Sequence, residues 1–130
     1  MATDTDKKTT LDQKRARHAW DVIQRVVKEP ESVRKDFGTQ AKKLPARIMA
    51  AGLGQALAFL EAKGKTALLL EALAAWIHER RHTAGDRRLV VRIIEGDADF
   101  LRYATAESLA YLQWLVRFAE AHNVTDATEG

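Results

Sequence analysis

The sequence predicts an all-α fold, a single-domain bundle of about five to six helices joined by short turns. Three observations lead there. Ala and Leu supply 36 of the 130 residues, whereas Val and Ile supply only 13, a balance that favours helix over strand. Apolar residues recur at i, i+3 and i+4 through most of the chain. Only one run, LVVRII at 89–94, has a strand-like composition. A lone strand has no neighbour to satisfy its backbone groups, so the run is expected to be a short helix.

Each element follows from local signals. Residues 1–9 are polar and predict a disordered tail, as do the polar residues 123–130 at the other end, leaving 10–122 as the domain. Thr10 with Gln13 three residues later fits a capping box and starts the first helix. Its core stripe is expected at Ala16, Ala19, Trp20, Ile23, Val26 and Val27, and Pro30 is expected to stop it. A second helix, capped by Ser32, runs toward Met49, with Pro45 expected either to kink it or to restart it. Gly52-Leu53-Gly54 forms a joint. A third helix spans Gln55 to Lys63 and ends at Gly64, a suitable C′ glycine. A fourth runs from about Thr66 to His82, with Gly85-Asp86 closing it. Asp97 and Asp99 read as turn and cap residues. The last helix is expected to start after Thr105, with Glu107 in its first turn.

That last helix is apolar over more than the usual arc. Leu109, Leu112 and Val116 form one row, and Tyr111, Trp114, Leu115 and Phe118 form another. Such a helix is either the centre of the bundle or presents one row to another chain. Tyr111, Trp114 and Phe118 are therefore candidate protein-interface residues.

Composition excludes several functions. With no Cys in the chain, a disulfide scaffold, a thiolate metal site, an iron–sulfur cluster and a Cys nucleophile are ruled out. The N-terminus lacks the apolar core of a secretory signal, and no apolar run is long enough to span a membrane. A soluble, cytoplasmic domain is expected.

The net charge of +3 hides an uneven distribution. Residues 1–65 hold 14 Lys and Arg against 8 Asp and Glu, and residues 66–130 hold 7 against 10. The stretch 7–47 alone carries +7. Lys14, Arg17, His18 and Arg25 share one face of the first helix. Lys42, Lys43 and Arg47 cluster on the second, beside Arg34 and Lys35. If the two helices pack as neighbours, the clusters merge into one strip able to neutralise phosphates without reading bases. No base-reading motif accompanies them. A solvated surface is the alternative.

Two other motifs carry chemistry in principle. His78-Glu79-Arg80-Arg81-His82 matches H-E-x-x-H on a helix, where two His at i and i+4 can hold zinc and the Glu can act as base, with Glu107 a possible third ligand. Two guanidiniums beside a dication argue against it, and an exposed last turn complementing the helix dipole explains the same residues. Gly52-Leu53-Gly54 lacks both the preceding strand and the third glycine of a dinucleotide loop, so it reads as a helix–helix turn.

A resemblance to a known family covers residues 11–122. Leu11-Asp12-Gln13-Lys14-Arg15-Ala16 with Ala19-Trp20 resembles that family's opening motif. Leu44-Pro45 through Ile48, Gly52-Leu53-Gly54-Gln55 and Leu57-Ala58-Phe59-Leu60 resemble its central signature. Tyr103, Thr105, Glu107-Ser108-Leu109 and Trp114 through Ala119 are similar to its closing motif. The family is the small α-helical subunit of the type III-B CRISPR effector, the Cmr complex. The resemblance implies a non-catalytic helical protein, without cofactor, whose copies stack as a minor filament beside the other Cmr subunits and line the path of the target RNA. Nuclease and cyclase activities would belong to other subunits. The matching basic residues are Lys14, Arg15 and Arg17 in the opening motif, and Lys43 and Arg47 near the central one. Residues 78–88 match no family motif.

With His18, Arg25 and Lys42 added from the two basic faces, these define the expected RNA-contacting set. The partners expected are the guide and target RNA backbone, other Cmr subunits and further copies of the chain, with no membrane and no small-molecule substrate. Two other readings remain: a zinc hydrolase using His78, Glu79 and His82, and a helical adaptor that binds only protein.

Overall fold

The computed structural model describes residues 8–124. Among them are six helices and no strand: α1 (Leu11–Val26), α2 (Glu31–Ala51), α3 (Leu53–Lys63), α4 (Ala67–Arg80), α5 (Leu89–Glu95) and α6 (Ala98–Ala121). The all-α single bundle expected from composition is therefore the fold. The expected terminal tails lie mostly outside the described residues. At the C-terminal end of the described residues Val124 is fully buried and its N–H donates to the Ala119 carbonyl.

The capping box at α1 forms as the sequence indicates. The Gln13 N–H donates to Thr10 Oγ1 at 3.0 Å, and the Thr10 N–H donates to Gln13 Oε1 at 2.8 Å, satisfying two orphan donors of the first turn. The buried face of α1 is Ala19, Val22, Ile23 and Val26. Trp20, expected in the core, is 38% exposed and sets its indole edge-on to Phe118 and His122. Val22 takes the inward place, since a face centred on Ala19 and Ile23 admits position 22 and turns position 20 outward.

α2 begins at Glu31 with Pro30 at its N-cap, two residues ahead of the expected Ser32 cap, and no side chain caps it. Pro30's fixed φ suits that boundary. Pro45 lies inside α2, which continues past it to Ala51. Gly52 then serves both as the C-cap of α2 and the N-cap of α3, at φ 90° and ψ 159°. That positive φ is strained for any residue with a Cβ, which is why the joint carries glycine.

The 89–94 run is helical, as the lone-strand argument requires. α6 differs from expectation at its start. It begins at Ala98, capped by Asp97, whose carboxylate accepts the Phe100 N–H at 2.8 Å. Thr105 sits two turns inside, with its Oγ1 donating to the Leu101 carbonyl at 2.7 Å. A mid-helix threonine satisfied by that backbone bond does not interrupt the helix.

α6 is the central element. It packs most heavily on α1 and α2 and also touches α3 and α4, which accounts for its wide apolar arc. The core gathers Phe37, Leu57, Leu60, Leu73, Trp76, Tyr111 and Leu112, all at most 1% exposed. Each such side chain contributes about 1.5–3 kcal/mol by leaving water.

Candidate nucleic-acid interface

The cations on α1 divide between two environments. Lys14, Arg17 and Arg25 are exposed, whereas Arg15 and His18 turn inward. Arg15 donates from Nε to Glu107 Oε2 at 2.6 Å and from Nη2 to Glu107 Oε1 at 3.0 Å, and from Nη1 to Asp12 Oδ1 at 3.0 Å. The Trp76 indole N–H donates to Glu107 Oε2 at 2.8 Å. Glu107 is 5% exposed. Burial pushes its carboxyl up, but the hydrogen bonds from Arg15 and Trp76 outweigh burial and hold it below its ordinary value. The same pairing raises the Arg15 pKa. Glu107 thus has its acceptors filled by the bundle's own donors.

His18 lies above this pair. Its Nδ1 is 2.7 Å from the Tyr111 hydroxyl, and its ring meets Trp76 and Tyr111 edge-on, with Trp76 and Tyr111 stacked 5.6 Å apart. Burial holds the imidazole below its ordinary pKa and drives the Tyr111 phenol far above its own. Tyr111 is fully buried. It belongs to the core rather than to an outward interface, because the second apolar row of α6 faces α1 and α4 at that turn. Trp114 and Phe118 are half-buried at the surface.

On α2, Lys42 and Lys43 are exposed. Arg47 is half-buried, donates from Nη1 to Gln40 Oε1 at 2.6 Å and lies 4.2 Å above the Phe59 ring, where it ties α2 to α3. The two basic clusters do not merge by direct packing. α1 and α2 share no extensive contact, and α6 packs against both. The gap between them is a groove of about 680 Å³ with Leu109, Leu112, Trp114 and Val116 as its apolar floor and Asp12, Lys42 and Arg117 at its rim. The Trp114 indole, followed by Arg15, holds the Asp12 carboxyl below its ordinary value.

The α1 cations instead meet α4. A groove of about 870 Å³ sets Lys14, Arg17 and His18 beside Glu79 and Arg80 at the C-terminal end of α4. Arg17 stays 73% exposed and, among the described residues, makes only a long ion pair, 3.7 Å, with Asp21. Arg80 is not in the expected RNA-contacting set. Its place in the last turn of α4 signals a basic helix end, but 66 residues separate it from Lys14 and only the docking of α4 on α1 brings them together.

The H-E-x-x-H motif does not gain its third ligand. His78 and His82 are neighbours, with ring centroids 4.7 Å apart, but Glu107 is engaged by Arg15 and Trp76. Among the described residues, no group of three or more His, Cys, Asp or Glu is placed to hold a metal. No helix of the described residues is long and apolar enough to cross a membrane.

Comparison with known proteins follows the same extent as the fold. Residues 11–122 match the family model described as CRISPR-associated protein Cas_Cmr5. The chain is 36% identical over 91 residues to the CRISPR system Cmr subunit Cmr5 of Thermus thermophilus, covering 68% of this chain and 75% of that protein. The crystal structure of a CRISPR-associated Cmr5 family protein from Thermus thermophilus superposes with a TM-score of 0.73 at 28% identity, over 91% of this chain and all of that one.

Proposed function

The chain belongs to the CRISPR-associated Cmr5 family, the small subunits of the type III-B Cmr complex, and on that premise we propose that it is a non-catalytic cytoplasmic subunit that contacts RNA backbone through α1. It stacks with copies of itself and with other Cmr subunits as a minor filament along the guide and target RNA. The observation that supports this reading most is the separation of roles on α1. Arg15 and His18 are taken up by the core, while Lys14 and Arg17 stay exposed and line a groove with Arg80.

Exposed cations on a rigid helix suit phosphate binding without base reading, and guide pairing can carry the sequence information. Lys43 and Arg25 extend the charge along α2 and α1, whereas Arg15 and Arg47 act first as structural ties. The test is charge reversal at Lys14, Arg17, Arg25 and Lys43 together in the assembled complex. Weaker target-RNA binding is expected, with the dependence of log affinity on log salt flattening by about 0.7 for each single-strand phosphate that is no longer neutralised. Normal target binding by a folded, assembled variant would overturn the RNA role.

One observation favours a protein-only role for part of the surface. The groove between α1, α2 and α6 has an apolar floor that includes Trp114, the kind of residue that anchors interfaces. Association through it is expected to survive RNase and high salt, and Trp114→Ala is expected to weaken assembly while leaving RNA binding by the free chain unchanged.

A further inference from the structure

The corner between α4 and α5 concentrates positive charge that neither the core nor the α1 groove uses. Residues 78–92 hold five arginines, two histidines and only two acids. One acid, Asp86, is held by Arg88 through both carboxylate oxygens and the Arg88 backbone N–H. The other, Glu79, lies toward the α1 groove. Asp86 and Glu95, the latter beyond this segment, line a small cleft of about 260 Å³ with Arg92 and Phe100. Arg81, Arg87 and Arg92 make no ion pair with a carboxylate among the described residues.

Two of these guanidiniums are preset by aromatic faces. Arg81 lies 3.8 Å above the Tyr103 ring and Arg92 lies 4.6 Å above Phe100. Stacking fixes a guanidinium plane while leaving its N–H edge open to an acceptor. Arg92 also donates from Nη2 to the Arg81 carbonyl at 2.9 Å, which ties the end of α4 to α5.

The corner contains unmet hydrogen-bonding groups. Arg92 Nη1 and His78 Nδ1 are both buried and have no hydrogen-bond partner among the described residues. A buried donor without an acceptor is costly, and the cost is greater on a charged group. Burial, with Arg81 beside it, also pulls Arg92 below its ordinary pKa. Burial first, then Arg87, His82 and Arg92, does the same to His78. These residues form one electropositive neighbourhood.

We propose that the α4–α5 corner, built from His78, Arg81, Arg87 and Arg92, is a second anion site that takes a phosphodiester of single-stranded RNA, separate from the α1 groove. Arg92 Nη1 is sealed from solvent, so Arg92 adds its charge from behind the rim rather than touching the phosphate. Arg81 and Arg87 at the rim supply the N–H donors and neutralise the charge, with His78 and His82 lying beside them. The site stands on its own residues and does not rest on the α1 reading. Arg80, which lines the α1 groove, precedes Arg81 directly, so one strand can run from one site to the other.

The experiment follows the ring resonances of His78 and His82 by NMR in the full chain while a ten-residue uridine RNA is added. Progressive shifts are expected, and R81Q/R87Q, which changes exposed residues only, should abolish them while circular dichroism stays unchanged. In the same variant the salt dependence of RNA affinity should flatten by about 1.4. Unmoved resonances in the parent chain, or shifts that persist in R81Q/R87Q, would overturn the site. Equal shifts from inorganic phosphate at matched ionic strength would overturn its assignment to a polynucleotide. Charge reversal at Lys14 and Arg17 should leave the His78 shifts in place, so failure of the α1 site and failure of this one are distinguishable.

Discussion

Arginines meet different partners in two regions of this bundle, with opposite consequences. At the seam between α1 and α6, Arg15 meets a buried carboxylate in a two-pronged pairing that the Trp76 indole completes. At the corner between α4 and α5, Arg81 and Arg92 stack on Tyr103 and Phe100, and no carboxylate answers them. The presence of one acid, Glu107, decides the difference. Where it is supplied, a desolvated guanidinium becomes a tie within the core. Where it is missing, the guanidinium keeps unused donors and the region remains available to an outside anion. Positive charge along the chain therefore does not measure positive charge available for binding.

The largest expected effect breaks the seam. Glu107→Gln leaves Arg15 with only the exposed Asp12 as counter-charge and should cost up to about 3 kcal/mol, the low end for one partner removed from a buried pair, read from urea unfolding. The corresponding change at the corner, Arg81→Gln, should stay within about 1 kcal/mol because it removes only an exposed cation–ring interaction. Equal losses of stability in the two variants would remove the distinction between tie and open site.

Acid titration sharpens the same difference. Glu107 sits below its ordinary value of 4.5 in the folded chain, so on acidification the unfolded chain takes up its proton first. Its contribution is complete above about pH 4.5 and is lost as pH falls through the folded value. Thermal unfolding midpoints should drop over that range in the parent chain and much less in Glu107→Gln. A parallel drop in both proteins would assign the acid sensitivity to other carboxylates.

His18 gives a smaller effect at higher pH. Its folded pKa is lowered from 6.5 by burial, so the unfolded state binds the proton more readily and stability declines as pH falls below about 6.5. The slope between pH 6.5 and 5.5 should shrink in His18→Gln, as measured by chemical unfolding at each pH. A slope unchanged by that substitution would place the titrating group elsewhere.

Much of the molecule was legible in order along the chain. The capping box at Thr10 and Gln13, the glycine joint at Gly52 and the helical state of 89–94 each rest on interactions or backbone preferences within a few residues. The misplaced features depend on more distant neighbours. Trp20 fits a helical stripe as well as Val22 does, and only the angle at which α1 meets α6 selects between them. Thr105 has the composition of a cap, yet Asp97 captures that role two turns earlier and the helix runs through. Tyr111 carries the signature of an interface aromatic but is sealed in by Trp76 and His18.

By itself the sequence determined the helical class, the family motifs and the presence of a basic N-terminal third. These depend on composition, propensity and spacing of 3.6, which act locally and need no partner. Only the tertiary structure decided which cations remain free. Lys14, Arg15 and Arg17 differ little as residues, but a helix turns by about 100° with every residue and so points them in different directions. Whether that turn ends against Glu107, 92 positions away, or against solvent is set by packing between helices, which no local pattern encodes.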